Sequence, residues 1–138
     1  METIHSRLIV ANKALEVISS HGRRFFYNGT FDRISTFELI PSKLLDEPSL
    51  AIRDDYRGTL IPVSASDWRE FGWSHGGTLK ELVLEFSQFV LTGKKVRSGW
   101  IGMRRYDGSY IWGYSADEVK ATLEGLIPLD ILEVELQQ

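Results

Sequence analysis

Cysteine is absent from the sequence, and histidine (three), methionine (two) and proline (four) are scarce. Without cysteine there is no disulfide, no thiolate nucleophile, no zinc–thiolate site and no iron–sulfur ligand. That usage fits a reducing compartment. Long hydrophobic runs are also missing. The uncharged apolar stretches fall far short of a membrane span. The opening METIHSRLIVANKALEV is broken by charges, unlike the apolar run of a signal peptide. These absences predict a cytoplasmic protein with no membrane association. The histidines His5, His21 and His75 show neither His-x-His nor His-Glu-x-x-His spacing, so no metal site is expected. Phosphate loops are missing too. Gly93-Lys94 has no upstream glycine at the required distance, and Lys95 stands where a Ser or Thr belongs. No cofactor is expected.

What is present is an ordinary globular composition. The chain has 138 residues, 43% of them hydrophobic and 25% charged, which suits one domain over residues 1–138. A chain of this size buries roughly two-thirds of its unfolded surface and needs no metal or disulfide to fold. The net charge of −3 conceals an asymmetry. Residues 1–92 balance at −2, residues 93–114 at +4 and residues 115–138 at −5. The overall sign argues against a protein that coats nucleic acid, while the local block keeps an anion site open.

Periodicity marks three helices. Ile4, Leu8, Ala11, Leu15 and Ile18 form one apolar stripe over about residues 3–20, with Gly22 placed to end it. Leu79, Leu82, Val83, Phe86, Phe89 and Val90 form a second stripe, expected to open at a Thr78/Glu81 capping box and to end at Gly93. A third follows a Ser115/Glu118 capping box, with Val119, Leu123 and Leu126 facing inward. Asn28-Gly29 between aromatic runs reads as a hairpin whose second arm continues to Pro41. Leu50–Arg53 and Leu60–Val63 read as strands joined through Asp54, Asp55 and Gly58, with Pro62 marking an edge. Residues 64–77 read as a Ser- and Gly-rich loop with two tryptophans. Residues 94–114 read as two short strands with a turn at Asp107-Gly108, and the tail ILEVEL as a last strand. Strands and helices segregate, which predicts an α+β fold: a mainly antiparallel sheet with about three helices packed on one face.

No catalytic constellation emerges. Asp54 and Asp55 are neighbours, and neighbours on a strand face opposite ways. Glu118-Val119-Lys120 lies in a helix, whereas a nuclease of the Asp … Glu-x-Lys type needs it on a strand. The glycines of GWSHGG at 72–77 allow a sharp entry into the second helix, where backbone N–H groups can also hold an anion. The most concentrated chemistry is GKKVRSGWIGMRRY at 93–106. It joins Lys94, Lys95, Arg97, Arg104 and Arg105 to Trp100 and Tyr106. Cations neutralise phosphates and aromatic faces stack on bases, although lysines also suit a helix C-terminus and Trp100 also suits a core. Arg23 and Arg24, beside Phe25, Phe26 and Tyr27, extend that surface if the segments are neighbours.

The runs HGRRFFYN (21–28), SHGGTLKELV (74–83), TGKKV (92–96) and IWGY (111–114) together resemble uncharacterised small accessory proteins of phages and plasmids. The resemblance implies an accessory role and carries over no functional residue. The resulting expectation is a non-enzymatic protein that binds a host protein or protein–nucleic-acid complex, as a counter-defence inhibitor does. Binding of nucleic acid or a nucleotide through 93–106 is the first alternative. A small enzyme using His75 or His21 with a nearby carboxylate is the second.

Overall fold

A computed structural model describes residues 2–21, 34–41, 49–55, 57–74, 77–97, 99–102, 106–109 and 115–133. Helix α1 runs Ile4–His21, matching the first stripe. Three strands follow: β1 (Thr36–Ile40), β2 (Ser49–Arg53) and β3 (Leu60–Pro62). A 3₁₀ turn, Trp68–Phe71, precedes α2 (Gly77–Thr92). Then come β4 (Val96–Arg97), the single turn α3 (Gly99–Gly102), α4 (Ala116–Leu126) and β5 (Leu132–Glu133).

The α+β expectation holds, but the described strands form two sheets rather than one. β1, β2 and β3 make an antiparallel sheet in that order, with Phe37 opposite Ile52 and Ile52 opposite Ile61. Pro62 lies on β3, an edge of that sheet, where its missing N–H costs no ladder bond. β4 and β5 pair separately and in parallel, Val96 with Leu132 and Arg97 with Glu133. The first of the two strands expected over residues 94–114 stops at Arg97. Residues 99–102 instead turn helically, and Ile101 is fully buried. The Asn28-Gly29 hairpin and Gly22 lie outside the described residues.

One core joins the elements. Its largest fully buried side chains include Leu15 and Ile18 of α1, Phe37 and Ile52 of the sheet, Trp68, and Leu82 and Phe86 of α2. All six residues of the second stripe are buried, so the 3.6-residue period located that helix correctly. Three hydroxyls inside the core are satisfied locally. The hydroxyls of Ser19, Ser87 and Thr122 each donate to the carbonyl four residues earlier, at 2.7–2.8 Å. Asn12 of α1 also docks on β1. Its Nδ2 donates to the Phe37 carbonyl at 3.1 Å, and its Oδ1 accepts from the Phe37 N–H at 2.6 Å. The side-chain amide takes the place of a neighbouring strand at that position.

One local expectation needs adjustment. Helix α2 begins at Gly77, so Thr78 lies inside its first turn rather than before it. The Ser115/Glu118 capping box of α4, by contrast, is fully formed. The turn at Asp54–Gly58 is also present, with Gly58 N–H donating to the Asp54 carbonyl at 2.8 Å. Its two aspartates are completely buried. The Asp54 carboxylate accepts from Arg57 N–H at 3.2 Å, and Asp55 Oδ1 accepts from the Ser35 hydroxyl at 2.8 Å. Among the described residues, no helix is long and apolar enough to cross a membrane.

Candidate functional site

The segment singled out in the sequence begins where α2 stops. Gly93 takes φ +82°, a left-handed conformation, and its N–H returns to the Phe89 carbonyl at 2.9 Å. Lys94 follows, exposed. β4 then fixes an alternation: Val96 points into the core while Arg97 points out. The Val96 N–H donates to the Ile131 carbonyl at 2.9 Å, anchoring the segment to the region after α4.

Arg97 and Trp100 converge on one carboxylate, Glu85 of α2. Glu85 Oε1 accepts from the Arg97 backbone N–H at 2.8 Å and from Arg97 Nε at 3.1 Å. Glu85 Oε2 accepts from the other arm of the guanidinium at 3.1 Å and from the Trp100 indole N–H. The guanidinium carbon lies 5.6 Å from the centroid of the Trp100 ring, within cation–π range. Burial alone raises the carboxyl pKa of Glu85. The hydrogen bonds from Arg97 and Trp100, with the guanidinium charge, outweigh it and hold Glu85 below the usual carboxylate value. Lys95 finds a partner in Asp130, Nζ to Oδ1 at 2.6 Å, on an exposed surface.

Glu85 was not legible as a site residue. It flanks the apolar stripe of α2, and only the fold carries Arg97 and Trp100 back to it. Tyr106 is fully exposed. It precedes a tight turn in which Asp107 Oδ1 accepts from the Ser109 N–H at 2.9 Å and Gly108 takes φ +89°. Arg104, Arg105, Arg23 and Arg24 lie outside the described residues, as does His75. His21 is exposed at the end of α1, with no ion-pair or hydrogen-bond partner among the described residues. Among the described residues no three His, Asp or Glu side chains are grouped closely enough to hold a metal ion.

Residues 2–125 match the family model described as YoqU. The chain belongs to the YoqU family. Over 105 residues it is 33% identical to the SPbeta prophage-derived uncharacterized protein YoqU of Bacillus subtilis (strain 168). The aligned stretch covers 75% of this chain and 66% of that protein's length. No solved structure matches the chain. The phage likeness seen in the sequence is borne out at the level of the family. The YoqU match takes in Glu85, Lys94, Arg97, Trp100 and Tyr106, while Asp130 and β5 lie beyond it.

Proposed function

We propose that this YoqU-family chain is a non-enzymatic accessory protein that binds a host protein through the surface bearing Lys94, Lys95, Arg97, Trp100 and Tyr106, in the manner of a counter-defence inhibitor. The prophage origin of its relative supports the setting. The observation that carries the choice of a protein partner is the state of the cations. Arg97 is clamped by Glu85 and Lys95 is paired with Asp130, so the charge that a phosphate backbone would need is already matched in part. Among the described residues, this surface presents the bare ring of Tyr106 beside the exposed cation of Lys94. Exposed aromatic rings with a polar tip serve as anchors in protein interfaces.

The test is capture from bacterial host lysate with wild-type protein and Tyr106→Ala side by side. The expected result is a stoichiometric host protein retained by the wild type and weakened by about thirtyfold or more in the variant, an anchor-sized loss of about 2 kcal/mol. Retention should change little between low and physiological salt. Recovery of no stoichiometric protein defeats the proposal. Recovery of nucleic acid that is lost steeply with salt transfers the surface to the nucleic-acid reading.

A further inference from the structure

Two of the described aspartates fold back on their own chain in the same way. Asp67 Oδ1 accepts from the Arg69 backbone N–H at 3.1 Å, and Asp107 Oδ1 accepts from the Ser109 backbone N–H at 2.9 Å. In such a turn the side-chain oxygen reaches the amide two residues ahead, which draws the carboxyl carbon toward the nitrogen of the residue between. That residue differs. After Asp67 it is Trp68, 1% exposed and packed in the core. After Asp107 it is Gly108, exposed, at φ +89°, with nothing within 4 Å of the place a Cβ would take. Tyr106, Asp107 and Ser109 are exposed as well. Asp107-Gly108 is the one Asp-Gly pair in the sequence.

The second donor on each oxygen also differs. Asp67 Oδ1 accepts from Arg69 Nε at 3.2 Å. That side-chain hydrogen bond holds the Asp67 carboxyl below the usual carboxylate value, and an ionised carboxylate cannot expel water. Asp107 Oδ1 accepts instead from the Ser109 hydroxyl, at 2.6 Å. One carboxyl oxygen of Asp107 thus receives an N–H and an O–H together. Two donors aimed at one oxygen stabilise the charge that gathers there when a nucleophile adds to the carbon. The nucleophile belongs to the next residue, so the addition is intramolecular.

We propose that Asp107-Gly108 is a site of spontaneous covalent modification, at which the protein isomerises its own main chain to a β-linked aspartyl bond with help from Ser109. The Gly108 nitrogen attacks Cγ of the protonated Asp107 side chain. A C–N bond forms and charge collects on Oδ1. Oδ2 leaves as water, carrying its own proton and the one from the Gly108 N–H. The product is a five-membered cyclic imide. Water then adds to one of its two carbonyls and breaks a C–N bond. Opening at Cγ restores aspartate. Opening at the main-chain carbonyl carbon leaves the chain running through the Asp107 side chain, one methylene longer and with a free α-carboxylate. Water lost in the first step is regained in the second, so the mass is unchanged. The inference does not rest on Tyr106 binding anything, and either proposal can fail alone.

The test is incubation of the intact protein in mildly acidic buffer made with heavy-oxygen water, followed by peptide mapping with electron-transfer fragmentation. Each opened imide takes up one labelled oxygen, and the fragments distinguish the β-linked bond from the ordinary one. Label and isomer should accumulate at Asp107 at least about tenfold faster than at Asp67. Gly108→Ala, whose methyl shields the attacking nitrogen, should slow the reaction by about tenfold or more. Ser109→Ala removes the hydroxyl donor and keeps the N–H. Water competes at an exposed turn, so the slowing should be about threefold rather than the roughly hundredfold of an enclosed site. Ser109→Thr should restore most of the wild-type rate. Any reaction at Asn28-Gly29 expels ammonia instead of water and is separated by its change in mass. The proposal is overturned if Asp107 gains no more label or isomer than Asp67. It is also overturned if Ser109→Ala reacts as fast as the wild type, since the Asp-Gly pair would then act without its turn.

Discussion

At its C-terminal end α2 finds donors for its carbonyls from within the protein, whereas its N-terminal end opens on a cavity. The Phe89 carbonyl accepts from the Gly93 N–H. The Val90 carbonyl accepts from Arg7 Nε at 2.9 Å and the Leu91 carbonyl from the other arm of the same guanidinium at 3.4 Å. Arg7 belongs to α1, so this end of α2 is closed by a neighbouring helix and by its own glycine. The start of α4 is closed as well, by the Ser115/Glu118 box with two acidic residues in its first turn. The start of α2 has no acidic residue in its first turn, and Lys80 there rests against the Trp68 ring. Helix ends completed by their own protein serve stability.

Arg7→Ala attacks the closed end and has the largest expected effect on stability. Two charge-assisted hydrogen bonds disappear from a side chain only 13% exposed, and two carbonyls lose their donor. We expect a loss of about 2–3 kcal/mol by urea denaturation. A loss below about 0.5 kcal/mol would mean that water replaces the guanidinium without penalty.

Gly93→Ala attacks the same end through the backbone alone. The added methyl would approach Arg7 Cδ no closer than 3.9 Å, so space is not the obstacle. The left-handed φ of +82° is the obstacle, and it should cost about 1–2 kcal/mol. At the open end Lys80→Met should leave stability within about 0.5 kcal/mol of the wild type, as expected for a substitution that removes no salt bridge. A large loss there would make Lys80 structural and erase the contrast between the two ends.

The smallest effect belongs to the middle of the helix. Glu85 ionises more readily in the folded state than in the unfolded one. Its contribution to stability is therefore fully present above the ordinary carboxylate pKa. It is lost as pH falls through the lower, folded value. In Glu85→Gln the acid limb of a stability-against-pH curve should flatten in that window. An unchanged limb would show that Arg97 and Trp100 do not hold the carboxylate in solution.

Much of the fold was legible because its signals are local. The stripes of α1 and α2 follow from spacing alone, and the α4 capping box from four consecutive residues. Misreadings occurred where partners lie far apart in sequence. Gly99-Trp-Ile-Gly looks like a strand continuing β4, but β4 pairs with β5 and the chain turns at once. Asp54 and Asp55 read as turn residues, and the turn gives no sign that both are buried. Nothing nearby in sequence announces that the Ser35 hydroxyl meets Asp55 in the interior. In the candidate site, the cations and aromatics were visible and their carboxylate was not, since Glu85 is joined to Arg97 and Trp100 only by the return of the chain after Gly93. Lys80 went unnoticed for a related reason: a lysine facing outward on a helix gives no sign that Trp68 will lie beneath it.

The parallel pairing of β4 with β5 also sets an order of events during synthesis. Val96 has no strand partner until α4 has been made and the residues after it have emerged. A loop of that span must close before the ladder can form, which holds two pairs among the described residues. The α1–α2 core can form earlier, because its stripes and the Arg7 clamp are all made before residue 96 leaves the ribosome. The Arg97–Trp100 surface is therefore among the last features to set, and a nascent chain carries its core before it carries that face.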